Sequence, residues 1–84
     1  MSTKSKNLKY YQSKFGQKIR EHRHKAGISQ SKLAADCNME KTSISRIETG
    51  RVNITLKTIL ILSKGLNIPL NEMLNFDNNS KIKQ

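Results

Sequence analysis

The segment from residue 40 to residue 49 separates polar from apolar side chains when it is drawn as a helix. At about 100° per residue, five polar side chains fall within a wedge of about 140°: Lys41, Thr42, Ser45, Arg46 and Thr49. Ile44 and Ile47 fall on the opposite side, together with Ser43. Lys and Arg donate hydrogen bonds to O6 and N7 of guanine, and hydroxyl groups adapt to several base edges or to phosphates. An ordinary solvated helix face has the same composition, so this segment alone leaves both interpretations open.

The residues before this segment predict a second helix and a tight turn. Ser29 is of a type that caps helix N-termini, and Ala34 and Cys37 then share one face of a helix over 30–37. Asn38 tolerates the left-handed backbone conformation that a tight turn requires. Two short helices joined by such a turn, with a small residue where they touch, have the spacing of a helix-turn-helix, whose second helix enters the DNA major groove.

Three further helices are predicted around this pair. The first has an apolar stripe whose members recur every four residues and should face the core, Tyr11, Phe15 and Ile19. It ends at Gly27, and Thr55 is placed to cap a fourth helix over 56–66. Pro69 opens a fifth helix toward Phe76. Since no run alternates apolar and polar residues for long, the sequence predicts an all-α, compact five-helix fold.

Charge and length restrict the class of protein. The 84 residues include 16 Lys and Arg against 6 Asp and Glu, for a net charge of +10. A chain of this length holds one core, and its positive balance favours a polyanionic partner. We expect a flexible basic N-terminal arm at 1–9, a DNA-binding domain at 10–76 and a disordered polar tail at 77–84, because neither end has apolar surface to offset the entropy of ordering.

Several other classes of function are disfavoured. The single cysteine, Cys37, fits a reducing compartment, and no apolar run approaches the roughly 20 residues that cross a bilayer, so we expect a cytoplasmic protein that binds no membrane. His22 and His24 would point about 200° apart on a helix, so they cannot share a metal ion. The chain has no Gly-rich phosphate loop and no recognisable catalytic pairing. We therefore expect no enzyme activity, no metal, no cofactor and no small-molecule ligand.

Four sequence motifs resemble, in order and spacing, those of lambda-repressor-like domains, the Cro/repressor or XRE-type helix-turn-helix proteins. They are FGQKIR at 15–20, GISQSKLA at 27–34, ISRIETG at 44–50 and ITLKT at 54–58. The resemblance covers roughly residues 12 to 76. It implies a five-helix domain that binds double-stranded operator DNA as a twofold dimer and regulates transcription. Small members of the family include the controller proteins of restriction–modification systems, which the stretch from Asn53 to Lys57 favours, as well as phage repressors and antitoxins.

The resemblance also implies roles for individual residues. It places base readout on the recognition helix 40–49, at Lys41, Thr42, Ser45 and Arg46. It places contacts with backbone phosphates at Gln30, Ser43, Arg51, Asn53 and Lys57. It pairs Arg23 with Glu48 in a structural ion pair that ties the first helix to the third. Asn38 and Glu40 depart from the family pattern, since Gly is frequent at the first position and a neutral or basic residue at the second.

The fourth and fifth predicted helices are apolar around much of their circumference. A second copy of the chain could cover part of this surface, and the residues we assign to such a dimer interface are Ile61, Leu70, Met73 and Phe76. The alternative is that all of these residues belong to the core of one chain.

The sequence as a whole favours a sequence-specific transcriptional regulator that binds an operator as a homodimer. One alternative is an antitoxin-type interaction protein whose DNA binding is secondary. The other is a basic protein that binds nucleic acid without sequence preference, although Tyr10 and Tyr11 are then the only aromatic residues available for base stacking.

Overall fold

The computed structural model describes residues 7–76, which form five helices. They are α1 (Leu8–Ala26), α2 (Gln30–Cys37), α3 (Lys41–Glu48), α4 (Leu56–Leu66) and α5 (Leu70–Met73). Residues 7–76 contain no strand, and the predicted all-α, five-helix fold is confirmed. The predicted tail at 77–84 and the first six residues of the predicted arm lie outside the described residues.

Side-chain caps fix where three of the helices begin. Each cap accepts a hydrogen bond from a backbone N–H three residues further on, and the capping residues are Asn7, Ser29 and Thr55. The last two were predicted from the sequence and are confirmed. Because Asn7 caps α1, this helix begins at Leu8, two residues inside the segment that was predicted as an arm.

Two helices are shorter than their sequence patterns predict. α3 begins at Lys41 instead of residue 40, since Glu40 occupies the N-cap position with an extended backbone. α5 contains only four residues and ends at Met73. Pro69 lies at its N-cap instead of its first helical position, and the chain has left the helix before it reaches Phe76.

Each helix contributes one fully buried side chain to a common core: Ile19, Leu33, Ile44, Leu62 and Met73. Tyr11 does not join them and remains 42% exposed. It lies in the first turn of α1, where its ring contacts the rings of Tyr10 and Phe76, at centroid distances of 5.1 and 6.0 Å. The prediction that Tyr11 is a core residue is therefore wrong, although Phe15 and Ile19 in the same stripe are buried.

The backbones of α1 and α3 lie close together at Gly16. A Cβ atom on this residue would lie 2.7 Å from the carbonyl oxygen of Glu48 and 2.9 Å from its carbonyl carbon, and it would also overlap the carbonyl oxygen of Ile47. These are backbone atoms and cannot rotate away. The distance between α1 and the C-terminal end of α3 therefore requires a glycine, which has no side chain, at position 16.

We expect Gly16→Ala to lower the free energy of unfolding by about 2 kcal/mol, the net of two opposing effects. Ala normally stabilises a helix interior by about 0.5–1 kcal/mol relative to Gly, but here the overlap with the α3 backbone forces the helices apart, and overpacking costs about 1–3 kcal/mol. Urea unfolding followed by circular dichroism measures the change.

The matched control is Gly27→Ala. Gly27 has φ +72° but no neighbouring atom within 4 Å of an added Cβ, so only backbone strain of about 1 kcal/mol is expected. A Gly16→Ala variant as stable as the wild type would show that α1 and α3 are not held at this distance.

Candidate nucleic-acid interface

The turn between α2 and α3 determines how the two helices cross. Asn38 ends α2 in the left-handed conformation, with φ 56°. The backbone N–H of Met39 donates to the carbonyl oxygen of Ala34 at 2.8 Å. Ala34 is buried and the side chain of Met39 packs against the core. The tight turn with a left-handed backbone at Asn38, which the sequence predicted, is therefore confirmed.

α3 has one face in the core and one face in solvent. Ile44 and Ile47 are buried, whereas Lys41, Thr42 and Arg46 are exposed. Within residues 7–76, no ion pair involves Lys41 or Arg46. Both side chains therefore present a positive charge at the surface of α3.

The hydroxyl groups of the predicted wedge are not equivalent. Thr42 is exposed, and Ser45 is half-buried. Thr49 directs its hydroxyl back toward its own helix, 3.0 Å from the carbonyl oxygen of Ser45 and 3.1 Å from that of Arg46. Its single O–H donor is therefore engaged within the helix end.

A groove of about 230 Å³ lies between α3 and the loop that follows it. Its polar lining includes Ser43, Arg46 and Asn53. Ser43 falls opposite the wedge on a helical wheel, yet it is half-buried in the wall of this groove and beside the polar surface. Arg51 and Lys57 are exposed at the start of the loop and in the first turn of α4, and they do not line the groove.

Gln30 and Glu48 meet Arg23 in a buried hydrogen-bond network. Arg23 donates from Nε to Oε2 of Glu48 at 2.6 Å and from Nη2 to Oε1 at 3.1 Å. Gln30 donates from Nε2 to the same Oε1 at 3.1 Å. The side chains of Arg23 and Glu48 are only 10% and 3% exposed, so the network ties α1, the start of α2 and the end of α3 to one carboxylate.

The charge of Glu48 is stabilised by this network. Burial by itself would raise the pKa of Glu48, but the hydrogen bonds from Arg23 and Gln30, with the charges of Arg23 and Arg20, outweigh it and hold the pKa below the ordinary value of 4.5. The hydrogen bond to Glu48 likewise raises the pKa of Arg23. The pair is therefore ionised at neutral pH, and its hydrogen-bonding capacity is used inside the fold.

The two histidines of α1 have different neighbours. His22 has a side chain that is only 17% exposed and lies 3.9 Å from the carboxylate of Glu72, whereas the ring of His24 lies 3.3 Å from Nη2 of Arg23. Among residues 7–76 no cluster of His, Cys, Asp and Glu could hold a metal ion. The helices of this region are also too short or too polar to span a membrane.

The apolar side chains that the structure leaves exposed differ from those that the sequence assigned to a dimer interface. Met73 is fully buried in the core of the single chain, so its inclusion in that interface is wrong; helical spacing alone could not show that α5 directs this side chain inward. Ile61, Leu70 and Phe76 are half-buried. The large apolar side chains left exposed on α4 and after α5 are Leu56, Leu60 and Leu74.

Comparison with known proteins shows the family to which the chain belongs. Residues 18–73 match the family described as helix-turn-helix, and the chain belongs to it. The class is therefore that of DNA-binding regulators with a lambda-repressor-like, XRE-type domain, which confirms the resemblance seen in the four sequence motifs.

The individual relatives include control proteins of this class. The chain is 43% identical over 63 residues to control protein C.BamHI of Bacillus amyloliquefaciens, covering 74% of this chain and 78% of that protein. It is 35% identical to the restriction-modification controller protein C.AhdI from Aeromonas hydrophila, with a TM-score of 0.72 over 74% of this chain and 94% of that one.

A further solved structure contains DNA. It is the tetramer of the controller protein C.Esp1396I in complex with its natural 35 base-pair operator, 34% identical with a TM-score of 0.72, covering 77% of this chain and 90% of that one.

We expect Glu48→Gln to lower the free energy of unfolding by about 3 kcal/mol at pH 7, because the buried charge of Arg23 loses its counter-ion. The wild-type Glu48 has a depressed pKa, so its contribution is complete above about pH 4.5 and disappears as the pH falls through the pKa of the folded state. The difference between the two proteins should therefore shrink as the pH is lowered from 6 to 3, as measured by urea unfolding at each pH. A difference that stayed constant over this range would show that folding does not lower the pKa of Glu48.

Proposed function

We propose that this protein is a controller of transcription for a restriction–modification system, which binds a twofold-symmetric operator in double-stranded DNA as a homodimer. α3 lies in the major groove, with Lys41, Thr42, Ser45 and Arg46 directed at base edges. The observation that carries this proposal is the exposed cationic face of α3, whose side chains form no ion pair within residues 7–76, while the other face of the helix is buried in the core. Its similarity to the controller proteins supports the biological setting.

Phosphate contacts on either side of α3 supply most of the non-specific affinity. Gln30 at the start of α2, with Ser43, Arg51, Asn53 and Lys57 along the groove, the loop and the first turn of α4, are the residues we assign to these contacts. Cations at the interface release counter-ions from the DNA, so the affinity falls steeply with salt. The net charge of +10 favours encounter with any DNA, and α3 then selects the sequence.

The dimer forms through the apolar surface of α4 and of the residues after α5. Leu56 and Leu60 are 62% and 45% exposed on α4, and Leu74 is 40% exposed. We assign these three residues to the interface together with half-buried Ile61, Leu70 and Phe76. A twofold dimer presents its two recognition helices about 34–36 Å apart, one DNA turn, and therefore requires a symmetric site.

Two alternatives have weaker support. A single-strand binder would stack bases on exposed aromatic rings, but Tyr10 and Tyr11 pack edge to face on each other, and the ring of Tyr11 also contacts Phe76. An antitoxin-type protein would use a toxin as its main partner, and the relatives named above are controller proteins. We propose no enzymatic activity for this chain.

Selection from a random duplex library at two salt concentrations tests the proposal. The wild type should enrich a twofold-symmetric motif at both concentrations. Arg46→Ala should bind that motif about 5- to 150-fold more weakly, because a base contact is worth about 1–3 kcal/mol, while its weak affinity for random DNA persists. Binding without enrichment would instead support a non-specific binder, and an unchanged preference in the variant would show that Arg46 reads no base.

Lys57→Ala is the control for charge, since it removes an exposed cation that we assign to a phosphate. It should weaken binding to all duplexes alike and reduce the slope of log affinity against log salt by about one per subunit. A variant that changed the selected motif would place Lys57 at a base edge and contradict its assignment.

Leu60→Glu should convert the dimer into a monomer, because two carboxylates would be buried opposite each other across a twofold interface. Sedimentation at micromolar concentration, with and without the operator, measures the change. Ala35→Glu, at an exposed position on α2 outside the assigned interface, makes the same change of charge and is the control for charge alone. A dimer that survived Leu60→Glu would place the interface elsewhere.

A further inference from the structure

α1 reaches across the protein surface to the loop that follows the recognition helix. The side chain of Gln12 donates from Nε2 to Oδ1 of Asn53 at 2.6 Å. The two residues are 41 positions apart in the sequence. Gln12 is half-buried and Asn53 is exposed, so the bond lies at the surface and outside the hydrophobic core.

The loop around Asn53 is fixed by its neighbours. Val52 and Ile54 pack against the core on either side of it, while Asn53 itself is exposed. At the start of the loop Gly50 has φ +74°, and a Cβ on this residue would lie 2.9 Å from Cα of Ser13 in α1. The main chain at the start of the loop therefore lies against the first half of α1, whereas the exposed side chain of Asn53 is free to rotate unless another group holds it.

The hydrogen bond from Gln12 removes that freedom. A side-chain amide has one oxygen that accepts and one nitrogen that donates two hydrogen bonds. With Oδ1 engaged by Gln12, no hydrogen bond within residues 7–76 uses Nδ2 of Asn53. Asn53 also lines the groove that contains Arg46 and Ser43, so its amino group lies on the surface assigned to DNA.

We propose that Gln12 is a positioning residue for DNA binding: it holds the amide of Asn53 so that Nδ2 donates to a backbone phosphate. The inference rests on the proposed function, since it assumes a DNA partner. A phosphate has only acceptor oxygens, so the reversed amide would present Oδ1 and repel it. Without Gln12 both orientations are open, and only one of them binds.

A double-mutant cycle on operator affinity tests this inference. Gln12→Met keeps the length of the side chain and removes its donor. It should weaken binding to the selected operator about two-fold per subunit, or about four-fold for the dimer, because only about half of the Asn53 amides then have the orientation that binds. Asn53→Ala should weaken binding at least as much, and the double variant should bind no more weakly than Asn53→Ala alone. The salt slope should stay at the wild-type value in Gln12→Met, since no charge is changed.

Gln17→Met is the matched control, because Gln17 is an exposed glutamine on the same helix that does not contact Asn53. Gln17→Met should bind the operator as the wild type does. The midpoints of thermal unfolding of Gln12→Met and Gln17→Met should both equal that of the wild type. Unchanged binding by Gln12→Met would overturn the inference, as would an equal loss with and without Asn53, which would mean that Gln12 contacts DNA by itself. Failure of the proposed function is separate, since the wild type would then select no motif.

Discussion

The structure depends on one buried carboxylate. Glu48 ends α3 and accepts hydrogen bonds from Arg23 of α1 and Gln30 of α2. A charge buried to this extent is tolerated only when its hydrogen-bonding capacity is used, so the three helices must meet at one place. Gly16 allows the same approach a few residues earlier, where the backbones of α1 and α3 come too close for a side chain. The orientation of α3 on the surface follows from these two constraints.

The chain segments directly before and after α3 are also held in place by contacts with the rest of the protein. The turn at Asn38 fixes the beginning of α3 relative to α2. The loop from Gly50 to Thr55, which follows α3, packs against α1 and against the core. Rigid backbone on both sides matters for a protein that reads DNA, because phosphate contacts set the register in which base contacts are made. α1 contacts the loop after α3 through Gln12 and Ser13, although it contains no residue assigned to base readout.

Local sequence signals were sufficient for much of this protein. Ser29 and Thr55 cap helices because each side chain satisfies a backbone N–H three residues away, an interaction decided within one turn. The polar wedge of α3 was likewise predictable from its period, since Lys41, Thr42 and Arg46 are exposed as the wheel indicates. Periodicity predicts a face, but it does not say whether another element covers that face. For this reason Tyr11 was wrongly placed in the core and Met73 wrongly placed on the surface.

The sequence by itself therefore determined the number and order of the helices, the turn at Asn38 and the resemblance to lambda-repressor-like domains, because all of these are recorded in neighbouring residues or in four short motifs. Only the tertiary structure decided which apolar residues stay exposed, that Ser43 lies in a groove with Arg46 and Asn53, and that Gln12 meets Asn53 across 41 positions. These features arise from the relative placement of whole helices. No local pattern contains that placement, since it is set by how the buried side chains of five helices fit together.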